Sequence, residues 1–288
     1  MAESYARPET LVSTDWVTEH LNDPSVVIAE INTDLQVGYH QGHAPGAVGW
    51  SLHTDLEHQI RRDIPDIAQI EALLGRSGID NNTTIVLYGD GNNRSATWAV
   101  WGLKYYRHSD VRLMNGGRKK WIDEGRITSM AAPSPTPKTY KAGVPDKSLR
   151  ATKEYIVSSL RNSSVRLLDT RTPEEYAELM ALPGAPQSGI YRNGRIPGAI
   201  LLPWDEGATE DGTFKPSDEL RRMYESKGFS PEHEVVPYCR LGVRASYSWF
   251  VLKYLLGYER VRNYDGSWTE GGNAVGVPIE TDAMAFTE

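Results

Sequence analysis

The sequence predicts an α/β protein built from two similar halves, each a parallel sheet flanked by helices on both faces. Two observations predict this. Apolar strand-like runs alternate with helix-like segments, which is typical of a parallel sheet covered by helices. The second half also repeats the first at a constant offset of about 150 residues, which indicates a tandem duplication. The matched pairs are Gly78 and Gly228, Val86 and Val236, Tyr88 and Tyr238, Arg94 and Arg244, Val111 and Val261, and Gly116 and Gly266.

The elements of the first half follow from capping residues, apolar runs and turn residues. Ser13 or Thr14 is expected to cap the first helix, and Val26 begins a mostly apolar run typical of a buried parallel strand. The residue ranges predict, in order, a helix at 11–21, a strand at 26–31, a short strand near 48, a helix at 67–77, a strand at 83–88, a helix at 95–107, a strand at 111–114 and a helix from 116.

A proline-rich segment separates the halves. Pro133, Pro135 and Pro137 stand at alternate positions and favour an extended, helix-free chain. We therefore expect a domain boundary within 129–147, with an N-terminal non-catalytic domain at 1–138 and a C-terminal catalytic domain at 139–288. The second half is predicted to form a helix at 152–160, a strand at 165–169, an insertion at 182–193, and a strand, loop and helix over 234–258.

Composition excludes several classes of function. The chain has 288 residues, a net charge of −7 and a single cysteine. The acidic balance argues against nucleic-acid binding, and one cysteine excludes both an internal disulfide and a Cys-x-x-Cys metal site. Neither a secretory signal nor a long apolar span is evident, so a cytoplasmic protein with no membrane partner is expected.

The loop around the single cysteine carries the predicted chemistry. Cys239 stands between an apolar strand and an apolar helix, and Arg240, Gly242 and Arg244 follow within five positions. A helix N-terminus and nearby arginines favour the reactive thiolate and attract anions. A lone cysteine is most often a small buried apolar residue, but a structural cysteine rarely needs two arginines beside it. At the constant offset, Gly89 takes the place of Cys239, so the first half is expected to lack the nucleophile.

With these motifs the chain resembles the tandem rhodaneses, a family of thiosulfate sulfurtransferases, over nearly its whole length. Within the second half, the motifs that carry the resemblance are Leu168-Asp169-Thr170-Arg171, Gly194-Arg195-Ile196-Pro197-Gly198-Ala199, Cys239-Arg240-Leu241-Gly242-Val243-Arg244 and Tyr264-Asp265-Gly266-Ser267-Trp268. The resemblance implies two rhodanese-like domains, of which only the second is active.

The resemblance also implies a mechanism. The Cys239 thiolate would take the sulfane sulfur of thiosulfate, and the persulfide would be held by the loop and then passed to cyanide or a thiol, including a protein dithiol. The substrate-binding residues implied are Arg240, Leu241, Gly242, Val243, Arg244 and Arg171. No metal or organic cofactor is implied. With no second cysteine, the acceptor must come from outside the chain.

Two positions depart from the family pattern. The thiosulfate enzymes of vertebrate type have a lysine where Leu241 stands and a second arginine where Glu175 stands. Arg244 is therefore expected to be the main anion-binding group. For Arg171 two interpretations stay open, a thiosulfate ligand and a salt bridge within its own domain. Asp169 is expected to accept structural hydrogen bonds, and Trp268 to pack beside the site.

Three other functions remain open from the sequence. A 3-mercaptopyruvate sulfurtransferase would use the same fold, but its usual loop resembles Cys-Gly-x-Gly and lacks the two arginines. A cysteine phosphatase of this fold needs Cys-x5-Arg, whereas this chain has Cys-x4-Arg, a shorter loop that suits a single sulfur atom. A persulfide carrier that feeds one partner protein would need the same loop as an enzyme.

Overall fold

The computed structural model describes residues 4–177 and 190–282, which form two compact units. The N-terminal unit consists of Pro8–Asp146 together with the short segment Ala208–Phe214. The C-terminal unit consists of Lys147–Gly207 and the chain from Lys215 onward, together with residues up to Arg7 at the start of the chain. The boundary between Lys138 and Thr139 stays a prediction, and the N-terminal unit as described continues to Asp146.

The N-terminal unit is a five-stranded parallel sheet with helices around it. The strands lie in the order β1-β5-β4-β2-β3. Apolar side chains of the strands and of α1 and α5, including Val17, Ile28, Val86 and Trp121, form a core. The elements are β1 (Leu11–Val12), α1 (Thr14–Glu19), β2 (Val26–Asn32), β3 (Val48–Ser51), α2 (Leu52–Asp55), α3 (Ile67–Arg76), β4 (Thr84–Gly89), α4 (Asp90–Tyr105), β5 (Val111–Met114) and α5 (Gly117–Asp123).

The C-terminal unit repeats this plan with a shorter sheet, in the order β7-β6-β8, and all of its strand pairs are parallel. Single parallel bridges from Val235 to Val261 and from Arg150 to Asn263 extend the sheet on the β8 side. The elements are α6 (Lys153–Ser159), β6 (Val165–Asp169), α7 (Pro173–Tyr176), β7 (Ile200–Leu201), α8 (Ser217–Glu225), β8 (Glu234–Tyr238), α9 (Val243–Phe250) and α10 (Ser267–Gly271). A π-helical turn, Val251–Leu255, continues α9.

The strand registers of the two sheets are equivalent at the carboxyl ends of their central strands. Glu30 lies opposite Tyr88 in the β2–β4 pair, and Asp169 lies opposite Tyr238 in the β6–β8 pair. The predicted α/β fold of two parallel sheets is confirmed. Ligand sites of such folds lie where parallel strands end, and Cys239 follows β8 at that edge.

Several elements differ from the sequence prediction. Residues 11 and 12 are a strand rather than the first helical turn, because Leu11 and Val12 pair with the edge of β5. Ser13 is the N-cap of the helix that follows, where its side chain accepts the Trp16 N–H. The insertion predicted at 182–193 lies outside the described residues except for 190–193.

Among residues 4–177 and 190–282, no helix is long and apolar enough to span a membrane.

Candidate active site

The loop from Cys239 to Gly242 turns so that a backbone N–H faces the cysteine sulfur. Gly242 has φ +84°, a left-handed conformation that glycine adopts without a steric penalty. Its N–H donates to Cys239 Sγ at 3.1 Å, and α9 begins at the next residue, Val243. A backbone donor and a helix N-terminus at the sulfur both stabilise negative charge there.

The backbone of Cys239 is fixed by α10 rather than by its own loop. Its N–H donates to Ser267 Oγ at 3.0 Å, and that hydroxyl donates to the Tyr264 carbonyl at 2.7 Å. The Trp268 N–H donates to the Cys239 carbonyl at 3.0 Å. Ser267 has φ +52°, a conformation that non-glycine residues adopt only at a cost. These contacts fix the position of Cys239 from both sides of the residue.

Ser267 belongs to the Gly-Ser-Trp motif, but its role could not be identified from the motif alone. Only the folded chain brings α10 against the loop. The next residue of the loop, Arg240, is held in the same way, because the Thr269 N–H and hydroxyl both donate to its carbonyl, at 3.1 and 2.7 Å.

Arg244 pairs with Glu175 through two hydrogen bonds, of 2.6 and 2.9 Å. Both side chains are mostly buried, with 17% of Arg244 and 14% of Glu175 exposed. Burial acts to lower the pKa of Arg244, but the hydrogen bond to Glu175 and the interaction with the Cys239 side chain outweigh it and raise the pKa. Arg244 therefore interacts with both Cys239 and a carboxylate, and no sequence motif indicates the pairing with Glu175.

The same pair determines the state of Glu175. Burial acts to raise the pKa of this carboxyl, but the hydrogen bond and charge of Arg244 outweigh burial and lower the pKa below its ordinary value. Glu175 is therefore ionised at neutral pH, and the guanidinium beside Cys239 already has a counter-ion.

Arg171 lies in the interior of the C-terminal unit. Its side chain is 2% exposed, donates to Asp169 at 2.6 Å and to the Gly194 carbonyl at 2.9 Å, and lies over the Trp268 ring. This geometry fits the salt bridge that the sequence left open as the second interpretation of Arg171. Asp169 also accepts the Tyr238 hydroxyl at 2.6 Å. Substrate binding by Arg171 stays an untested prediction.

The loop brings the other predicted site residues together. Arg240 and Leu241 are half-buried, and Val243 is 9% exposed as the first residue of α9. Cys239 itself is 1% exposed. A donor must therefore reach an enclosed sulfur, which favours a compact substrate.

Comparisons with known proteins identify the family of the chain. The sequence profile of the rhodanese-like domain matches residues 13–124 and 152–274. The chain is 48% identical to "Sulfur carrier protein TtuD" of Thermus thermophilus, over 96% of this chain and 98% of that protein. It is 45% identical to a Saccharopolyspora erythraea protein named "Putative thiosulfate sulfurtransferase", over 96% and 97% of the two chains.

Among solved structures, the chain is similar to the anaerobic ergothioneine biosynthesis enzyme of Chlorobium limicola in complex with trimethyl histidine. The TM-score is 0.86 at 25% identity, and the match covers 97% of this chain and 72% of the other.

Proposed function

The chain belongs to the rhodanese-like domain family of sulfurtransferases, and we propose that it moves the sulfane sulfur of thiosulfate to cyanide or a thiol through a persulfide on Cys239. The observation that carries the proposal is the sulfur of Cys239, which accepts the Gly242 N–H and interacts with the charge of Arg244. These groups stabilise a charged sulfur before the donor arrives and after the persulfide forms.

The proposed cycle has two displacements. The Cys239 thiolate attacks the outer sulfur of thiosulfate, a new S–S bond forms, and the old S–S bond breaks so that its electron pair leaves with sulfite. The terminal sulfur of the persulfide then carries the negative charge. Cyanide or a thiolate attacks that sulfur, the persulfide bond breaks, and the electron pair returns to Cys239 as the thiolate.

Thiosulfate is preferred to 3-mercaptopyruvate on two grounds. Arg240 in the loop and Arg244 on α9 are two cations against the one carboxylate of Glu175, and cations near a nucleophile attract a compact inorganic anion. The sulfur of Cys239 is also almost wholly enclosed, which disfavours a larger carbon-based donor. A cytoplasmic location stays a prediction.

The decisive experiment is the mass of the intact protein after incubation with thiosulfate, with wild type beside Cys239→Ser. We expect wild type alone to gain one sulfur atom and to lose it on addition of cyanide, as thiocyanate appears. A gain of one sulfur atom from mercaptopyruvate but not from thiosulfate would indicate a 3-mercaptopyruvate sulfurtransferase instead. If neither donor loads Cys239, the proposed function is wrong.

A second candidate function is that of a sulfur carrier, which the 48% identity to the Thermus thermophilus sulfur carrier protein favours. A carrier and an enzyme differ in how fast the persulfide discharges. The protein is loaded with sulfur, separated from the donor, and mixed with cyanide, a small dithiol or a protein extract. Fast discharge to the small acceptors supports the enzyme, whereas slow discharge to them together with fast discharge to one protein fraction supports the carrier.

A further inference from the structure

The C-terminal unit contains a carboxylate that the proposed sulfur-transfer cycle does not use. Glu175 lies on α7, and its two oxygens receive both terminal nitrogens of Arg244. The sequence resemblance places an arginine at this position in enzymes of the vertebrate type, so the charge here is the opposite of the one expected beside an anionic donor. This reversal raises the question of what Glu175 does to the site.

The position of Glu175 is fixed by the backbone of its own helix. The Thr172 N–H donates to Glu175 Oε2 at 3.1 Å, and the Glu175 N–H donates to Thr172 Oγ1 at 3.3 Å. These two bonds form a capping box, and Pro173 at the first helical position stiffens the turn. The carboxylate therefore reaches Arg244 from a preformed position rather than from a flexible side chain.

Arg244 in turn donates two hydrogen bonds to Glu175 and interacts electrostatically with Cys239. Its pKa is raised, against the opposing effect of burial, by the Glu175 carboxylate and by the Cys239 side chain together. Because only 17% of Arg244 is exposed, water screens this three-group arrangement weakly. An anion that approaches Cys239 meets a guanidinium whose charge is already balanced by Glu175.

We propose that Glu175 is a specificity-determining positioning residue, which orients Arg244 on Cys239 and lowers the preference of the site for doubly charged over singly charged sulfane donors. The proposal rests on the persulfide cycle proposed above and adds the charge class of donor to it. Without the carboxylate, the unbalanced guanidinium would attract a dianion more strongly than a monoanion, since the attraction scales with the charge of the donor.

Glu175→Gln is the sharpest variant. The amide oxygen of glutamine can still accept the Thr172 N–H, so the capping box is retained, while the charge is removed. The matched control is Glu174→Gln, which removes the same charge from the neighbouring, exposed position of the same helix. Any effect of net charge alone would appear equally in both variants.

The first measurement does not depend on sulfur transfer. Cys239 is alkylated with anionic iodoacetate and with neutral iodoacetamide, and the ratio of the two rate constants is compared among the three proteins. We expect Glu175→Gln to raise the ratio about tenfold or more, since removing one unit charge a few ångströms away changes the interaction free energy by at least the amount that a tenfold ratio requires. Glu174→Gln should stay within about twofold of wild type, as expected for an exposed charge. An equal ratio in all three proteins would overturn the proposal.

The second measurement uses donors of matched chemistry. Thiosulfate carries two negative charges and methanethiosulfonate carries one, and both offer the same outer sulfur. The ratio of their kcat/KM values should rise about tenfold in Glu175→Gln and depend more steeply on ionic strength. A ratio that stays constant although both donors load Cys239 shows that Glu175 is structural only. If neither donor loads the wild type, the proposed function fails, and the alkylation ratio still decides the role of Glu175.

Discussion

The two units build the same loop support from different residues. In the C-terminal unit, the N–H of residue 239 donates to Ser267 Oγ, which bridges to the carbonyl of Tyr264. In the N-terminal unit, the N–H of Gly89 donates to Asn93 Oδ1 at 2.9 Å, and the Asn93 amide bridges to the carbonyl of Met114 at 2.7 Å. Tyr264 and Met114 match at the offset of 150 residues.

The origin of the bridging side chain separates the two loops. Asn93 lies four residues after Gly89, in the non-helical start of α4, whereas Ser267 reaches the C-terminal loop from α10. Gly117 stands where Ser267 would be, and a Cβ there would overlap Asn93 Oδ1. The two solutions therefore exclude each other. The N-terminal loop therefore differs from the C-terminal loop by more than the missing cysteine, because the Asn93 side chain carries out the bridging there.

The two units also differ in which arginine pairs with the buried carboxylate at the end of a central strand. Glu30 accepts Arg118 at 3.1 Å, and the same guanidinium donates to the Gly42 carbonyl. Asp169 accepts Arg171, which donates to the matching carbonyl of Gly194. Arg118 follows β5, the last strand of its unit, and Arg171 follows β6, the first strand of its unit, yet each pairs with the carboxylate at the corresponding strand end. This equivalence supports a structural role for Arg171.

The strongest test of the comparison is to give the N-terminal loop a cysteine. A Cβ at Gly89 would overlap the carbonyl oxygen of Ile31, so Gly89→Cys should destabilise the N-terminal unit by about 2–4 kcal/mol. Combined with Cys239→Ser, it should leave activity about 10³-fold or more below wild type. Intact mass after thiosulfate checks this, and a sulfur gain by the double variant would show that the loops are interchangeable.

Removing the two arginines should have unequal effects. Arg171→Leu leaves Asp169 buried without its counter-ion and should cost about 3–5 kcal/mol of unfolding free energy. Arg118→Leu should cost less, about 1–3 kcal/mol, because burial raises the pKa of Glu30 and this carboxyl can take up a proton instead. Hydrogen exchange of the β6 amides reports the stability of the C-terminal unit, and hydrogen exchange of the β2 amides reports the stability of the N-terminal unit.

Equal losses of unfolding free energy in Arg171→Leu and Arg118→Leu would contradict the predicted difference between the two ion pairs. Thiosulfate KM supplies a separate check on Arg171, because a substrate ligand would raise KM in the properly folded variant, whereas a structural arginine would not.

Substitutions at Ser267 separate backbone strain from tethering. Ser267→Ala should lower the unfolding free energy by about 1–2 kcal/mol, since the buried Cys239 N–H loses its acceptor. Ser267→Gly should regain about 1 kcal/mol of this, since glycine tolerates a φ of +52°. Both should slow sulfur loading about tenfold, as a misplaced nucleophile does. Asn93→Ala is the matched control, because it removes the equivalent bridge from the N-terminal unit. A loss of sulfur loading in that variant would contradict the assignment of the tether to Ser267.

The smallest expected effect is a difference in pH dependence. The pKa of Glu175 is lowered on folding, so its stabilisation is present above pH 4.5, its ordinary pKa, and is lost as the pH falls through the lowered value. The pKa of Glu30 is raised, so its contribution to stability is greatest at low pH and is lost as the pH rises through the raised value. Unfolding free energies of wild type, Glu175→Gln and Glu30→Gln between pH 3 and about 7 check both signs. If the unfolding free energies of the three proteins changed with pH in the same way, the opposite pKa shifts of Glu175 and Glu30 would be contradicted.

Much of the fold could be predicted because strands and helices have local signatures. Val26 and Val165 begin apolar runs that are strands in the structure, and Thr152 caps its helix. The Leu11–Val12 strand could not be predicted, because only its pairing with β5 separates it from a first helical turn. For the candidate site, the position of Cys239 before a helix followed from the motif, whereas Ser267 as its tether did not.

The sequence by itself determined the tandem α/β plan, the position of the single cysteine and the absence of a cysteine in the first loop, since each depends on local pattern or residue identity. Only the tertiary structure decided the partners. Glu175 is 69 residues from Arg244, and Ser267 is 28 residues from Cys239. Such contacts depend on how the strand ends and the loops of one unit meet in space. Charge neutralisation and tethering of the nucleophile are therefore properties of the folded unit rather than of the motif.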